Sequence, residues 1–228
     1  MCWLFFNGGS AVIFSQRKNG AAKVIMNNLI APASAALFAA FFKARITGTY
    51  SYVEQFDVGT ICNGIIVGLV ASTASCDGTE PWASVIIGCV AALIYSIGVL
   101  LINKFGIDDP LEASPVHLGG GAWGTLVVGL FNQDKGLFYN PSEGIKLLGV
   151  QALGLVSIII WVSFWSILLF STLNRLNLFR VSKEIEIMGL DIAEMGGVNE
   201  EIYSKLRTDF GVMSPSMSPT QSNITPLQ

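Results

Sequence analysis

Pro81-Trp-Ala-Ser-Val-Ile-Ile-Gly-Cys-Val-Ala-Ala-Leu-Ile-Tyr-Ser-Ile-Gly-Val-Leu-Leu-Ile102 contains no Asp, Glu, Lys or Arg. A helix rising ~1.5 Å per residue needs about 20 apolar residues to cross the hydrocarbon core of a bilayer. This run meets that length unaided. Four more charge-free runs lie at 24–42, 58–75, 113–133 and 147–174. Backbone N–H and C=O groups find no water inside lipid, so such runs must bond internally as helices. The expected fold class is therefore all-α: a polytopic helical membrane protein with five complete transmembrane helices. A sixth apolar stretch, 2–14, is too short to cross alone and reads as the end of another helix.

Composition points the same way. Of 228 residues, 52% are apolar and 13% charged, about half the charge of a soluble domain. That excludes a water-soluble enzyme and, over most of the length, a disordered chain. A net charge of −3 gives no basic face for nucleic acid, so no nucleic-acid partner is expected. Cys2, Cys62, Cys76 and Cys89 form no CxxC pair and have no histidine at ligand spacing. No metal site and no cofactor is expected, and the cysteines read as small hydrophobes. No nucleophile–base pair or paired catalytic carboxylates stand out, so the chain does not read as an enzyme.

Short loops make neighbouring spans antiparallel, which sorts the cations onto two sides. Lys43, Arg45, Lys104, Arg175, Arg180, Lys183, Lys205 and Arg207 share a side with the C-terminus; Arg17, Lys18, Lys23, Lys135 and Lys146 lie opposite. The positive-inside rule then places the C-terminus in the cytosol. Organisation follows: a transmembrane domain over 1–174, a partly structured cytosolic segment over 175–210, and a disordered Ser/Pro-rich end over 211–228.

Polar groups at membrane depth are costly and mark function. The single histidine, His117, falls in the 113–133 run. Asp109 reads as an N-cap, Pro110 as the first helical residue and Glu112 as the third, in a capping box. His117 then sits about 10 Å along the helix, at ~1.5 Å per residue. An imidazole there can line a pore and relay a proton or serve as a bond between helices. Leu118-Gly-Gly-Gly-Ala-Trp-Gly124 and Gly64-xxx-Gly68 imply close helix packing. In Trp3-Leu-Phe-Phe-Asn-Gly-Gly-Ser10, Phe6 and Ser10 share one helix face at i, i+4. An aromatic ring beside a hydroxyl suits the mouth of a pore for a small cation.

These motifs, in this order, resemble the ammonium transporter (Amt/MEP/Rh) family. The resemblance rests on Trp3 to Ser10, Cys62-Asn-Gly64, Pro81-Trp82, Ile107-Asp-Asp-Pro-Leu-Glu112, Val116-His117 with the glycines after it, and Gly189-Leu190-Asp191. It implies an eleven-helix homotrimer in the plasma membrane, with a pore in each subunit. Ser10 would help recruit ammonium at an outer vestibule, Phe6 would be one ring of a phenylalanine gate, and His117 one of a pair of pore histidines. Asp109 and Glu112 would match acidic positions at the cytosolic start of the histidine helix. Against the family pattern, five N-terminal helices are missing from this stretch. Leu118 replaces a glycine, and the motif at 191–197 lacks a histidine. The chain alone is therefore not expected to form a pore. Three functions follow from the resemblance: transport of ammonium or ammonia as part of a longer protein, ammonium sensing through the cytosolic tail, or a truncated remnant without activity.

Overall fold

The computed structural model describes residues 2–14, 20–48, 57–181 and 186. All regular structure among them is helical: α1 (Cys2–Phe14), α2 (Gly20–Thr47), α3 (Val58–Thr73), α4 (Pro81–Phe105), a π-helical segment (Ser114–Gly119) running directly into α5 (Gly120–Phe131), and α6 (Pro141–Arg175). Each of the five charge-free runs has become a helix or most of one, and 2–14 is a helix too.

The ends follow local chemistry. Asp57 caps α3 by accepting from Thr60 N at 2.8 Å. Pro81 opens α4, where its missing N–H leaves nothing unsatisfied. Gly106 closes α4 in the left-handed region at φ 64°, with its N–H turned back to the carbonyls of Asn103 and Ile102. Three helices, Gly20–Ile46, Pro81–Phe105 and Pro141–Arg175, are long and apolar enough to cross a membrane. With 16 residues, α3 reaches only about 24 Å. Length alone thus supports three of the five expected spans.

Two compact units divide the chain, Met1–Trp161 and Val162–Gln228. In the first, helices meet at glycines. A side chain at Gly88 of α4 would lie 2.1 Å from the carbonyl oxygen of Ala31 in α2. On α3, a Cβ at Gly68 would lie only 2.6 Å from Pro32 of α2, and one at Gly124 of α5 as close to Ala71 of α3. Between them sits a core of mostly small groups, among them Ala35, Ala39, Val67, Ala71, Ala91 and Ala92 around the larger Ile87 and Tyr95. Apolar solvent gives helices little reason to associate, so close van der Waals contact has to supply it.

Within α6, Gly144 is the buried residue, while Leu153, Val156 and Ile158 are exposed. The described part of the second unit continues α6 and turns at Asn177, where the rings of Phe170 and Phe179 lie 5.2 Å apart. Most of the expected cytosolic segment at 175–210, and all of the end at 211–228, lie outside the described residues.

Candidate functional site

Two pockets lie at opposite ends of α3. The first, about 210 Å³, is lined by Phe6, Asn7, Ser10 and Ala11 of α1, by Thr73 at the end of α3, and by Ala74, Cys76 and Asp77 beyond it. Phe6 and Ser10 are thus brought together, as their i, i+4 spacing requires. The Ser10 hydroxyl donates to the Phe6 carbonyl at 2.9 Å. Its proton is used inside the helix, which leaves oxygen lone pairs for a donor in the pocket. Phe6 is 64% exposed, so its ring forms a wall without filling the core.

A buried polar seam holds α1 in this position. Trp3 Nε1 donates to Thr73 Oγ1 at 2.9 Å. Asn7 Nδ2 donates to Asn28 Oδ1 at 3.1 Å, and Ser72 Oγ donates to the same oxygen. In the turn below, burial and the neighbouring Asp77 push the Cys76 thiol up to about 11. It stays protonated and unreactive at neutral pH.

The second cavity, about 510 Å³, is lined by Lys43, Asp57, Thr60, Cys62, Asn63, Ile66, Glu112, Val116 and His117, among others. It is organised around Glu112. Lys43 Nζ, at the end of α2, lies 2.8 and 2.9 Å from the two carboxylate oxygens. It also reaches Tyr95 Oη of α4 at 2.9 Å and Thr60 Oγ1 of α3 at 3.3 Å. Tyr95 Oη and Asn63 Nδ2 donate to Glu112 as well. Burial raises the Glu112 carboxyl, but the hydrogen bonds from Lys43 and Tyr95 and the Lys43 charge outweigh it and hold the group below its usual range. Glu112 therefore remains ionised, and three helices converge on one carboxylate.

That carboxylate belongs to a residue with φ 56°, a left-handed conformation that costs a residue other than glycine roughly 1–3 kcal/mol. The π-helical segment begins two residues later and carries His117. Asp109 stabilises the same start: its carboxylate accepts from Ala113 N at 2.9 Å and Ser114 N at 2.7 Å. Those bonds hold the Asp109 carboxyl below its usual range, Ser114 contributing most.

The expected capping geometry needs correction here. The helix begins at Ala113, three residues after Pro110, and Glu112 is not its third residue. Its carboxylate does not turn back to the Asp109 backbone, because a half-buried lysine 69 residues away offers a stronger, charge-assisted partner. His117 accordingly lies four residues into the helix, not seven, and is exposed on the cavity side. The structure places His117 and the Phe6–Ser10 pair in different pockets.

In the sequence, Lys43, Asn63 and Tyr95 carry no site motif of their own. A signal was present: a lysine ends one apolar run, a tyrosine interrupts another, and a glutamate precedes a third. Opposite charges stranded near the same membrane face are expected to pair.

The profile of the Ammonium Transporter Family matches residues 1–200. Among curated proteins, the chain is 34% identical over 216 residues to putative ammonium transporter 1 member 5 of Arabidopsis thaliana, covering 86% of this chain and 42% of that protein. To ammonium transporter 1 member 1 of the same plant it is 32% identical, covering 98% of this chain and 49% of that protein. Among solved structures it resembles a sensor Amt protein, with a TM-score of 0.72 and 33% identity over 84% of this chain and 45% of that one. It also resembles Saccharomyces cerevisiae Mep2, with a TM-score of 0.65 and 28% identity over 80% of this chain and 41% of that one. The chain spans about half the length of the curated relatives it matches.

Proposed function

The chain belongs to the ammonium transporter family, a family of membrane transporters, and from that premise we propose that it forms one wall of a path carrying ammonium or ammonia across the bilayer. The observation that supports this best is the pair of pockets at the two ends of α3. One offers a ring, a hydroxyl oxygen and the Asp77 carboxylate; the other is lined by the sole histidine.

In this reading Phe6 and Ser10 serve the outer end. The ring face attracts a small cation and the hydroxyl oxygen accepts a hydrogen bond from it. Charge cannot follow cheaply into an apolar passage, because desolvating an unpaired ion is costly. Transfer of the proton to water at the outer mouth leaves neutral ammonia to proceed, and the His117 imidazole can donate a hydrogen bond to it or accept one from it. Phe6 and His117 both lie on exposed faces, so the path needs a second wall of protein opposite them. We infer further that the protein works as a homotrimer in the plasma membrane with its C-terminus in the cytosol. The excess of Lys and Arg on that side supports the orientation.

The test is a chimera in which residues 1–228 replace the matching half of a plant ammonium transporter. It is expressed in yeast lacking its own ammonium uptake and assayed with labelled methylammonium. Uptake is expected, falling about a hundredfold with His117→Ala, the lower end of what one proton-transfer group contributes. A chimera that reaches the surface but takes up nothing would falsify the transport reading. Unchanged uptake with His117→Ala would remove the histidine from it.

A further inference from the structure

We propose that Lys43 and Glu112 are positioning residues for His117: their half-buried ion pair, closed by Tyr95 and Asn63, fixes the left-handed residue from which the π-helical segment departs. The functional meaning of this device rests on the transport reading above; its geometry and its test do not.

Three observations carry the proposal. First, Glu112 adopts φ 56° with a side chain that gains nothing locally from it. Glycine is the residue that enters this region freely; a glutamate stays there only if its surroundings hold it. Second, the surroundings do. Lys43 Nζ reaches both carboxylate oxygens at 2.8 and 2.9 Å, and Asn63 Nδ2 reaches one at 3.1 Å and the neighbouring Leu111 carbonyl at 3.3 Å. The side chains of Lys43 and Glu112 are only 14% and 23% exposed, so water screens the pair weakly.

Third, the fixed residue leads straight into the histidine. Val116 N bonds to the Glu112 carbonyl at 3.2 Å, so the first turn beneath His117 hangs on the backbone of Glu112. Pro115 of the same turn is seated on α4 at Gly98, where any side chain would come within 2.8 Å of its ring. With one end pinned through Glu112 and the middle seated on α4, the wide turn has little freedom to tighten into an α-helix. Short π-helical turns are unstable alone and persist where their surroundings impose them. His117 shares the 510 Å³ cavity with Lys43 and Glu112, so a change in the pair is felt on the face the imidazole presents.

The bland alternative is that the pair only ties α2 to the loop before α5, contributing stability and leaving His117 indifferent to it. The single histidine separates the two, because its imidazole nitrogens give an unambiguous NMR signal in this chain. The whole 228-residue chain is prepared with ¹⁵N-labelled histidine and tryptophan in lipid nanodiscs, as wild type and as Lys43→Met, Glu112→Gln and Tyr95→Phe. We expect the imidazole signal to shift or split in Lys43→Met and, by less, in Glu112→Gln, while the five tryptophan indole signals stay in place. A positioning role moves the histidine alone; a general loosening moves the indoles too, including Trp123, whose Nε1 donates to the Ile87 carbonyl.

An unshifted imidazole in folded Lys43→Met and Glu112→Gln overturns the proposal, as does a shift accompanied by movement of all the indoles. Should Lys43→Met fail to fold, Tyr95→Phe decides by the same criterion, since it removes one oxygen from the cluster and no charge. None of these readouts depends on flux. A failed transport chimera with a shifted imidazole would sink the transport reading and leave the positioning role standing; the reverse result would do the opposite.

Discussion

Single carboxylates set the ends of helices in this chain. Asp57 caps α3 through Thr60 N, and replacing it with alanine is expected to cost about 1 kcal/mol, as loss of an N-cap generally does. Thermal unfolding in detergent of wild type against Asp57→Ala measures it. The Thr60 backbone bond holds the Asp57 carboxyl below its ordinary 3.8. A lowered folded value means the stabilisation is complete above pH 3.8 and lost as pH falls through the folded value. The difference between wild type and Asp57→Ala should therefore be flat from neutral pH to about 4 and shrink below it. Asp109 at the start of the histidine helix behaves with the same sign. That the Asp109 carboxylate would bond N–H groups at a helix start was legible; that Pro110 would not open that helix was not. Nor was where the helix starts, because Glu112 answers to Lys43, and a partner 69 residues away leaves no mark in the local pattern.

Pairs of helices are decided by what is absent from their surfaces. Gly64-xxx-Gly68 announced a packing face, and α3 lies there on Pro32 and Ala36 of α2. Gly88 gave no such notice: one glycine in a long apolar run has no spacing to read. Yet α2 and α4 approach so closely there that a Cβ would sit 2.1 Å from the Ala31 carbonyl oxygen. Backbone cannot step aside as a flexible side chain can. Gly88→Val is accordingly expected to destabilise the bundle by at least 1–3 kcal/mol, roughly the cost of overfilling a packed core. Gly149→Val, at a position with nothing within 4 Å, is the control. Fluorescence-detected size exclusion after graded heating compares them; equal midpoints would mean that α2 and α4 do not cross as described.

At the scale of the molecule, the apolar runs made the membrane class and the helical content readable, since both depend only on composition and length. What faces what was unreadable. Phe6 and Ser10 were placed together by helical spacing, but nothing in the order of residues shows that His117 lines a different pocket, one shared with Lys43 and Glu112. Ile158, near the middle of α6 and 60% exposed, tests the membrane assignment. Ile158→Arg is expected to raise the insertion free energy of α6 by about 3 kcal/mol, from the cost of a charge at mid-helix. A glycosylation-based insertion assay on α6 reads this as a shift from inserted to translocated product; no shift would take α6 out of the bilayer. The π-helical segment, finally, has a consequence in the counting of residues. A π turn holds one residue more than an α turn in the same ladder, so between Ala113 and Gly120 the chain carries a spare. Losing one residue there lets the turn tighten to α-helical form with both flanks still in phase, whereas the same loss within α4 or α5 swings everything beyond it by about 100°. Single-residue length variation can thus collect beside the histidine without unfolding the bundle, and what it alters is the direction in which the imidazole points.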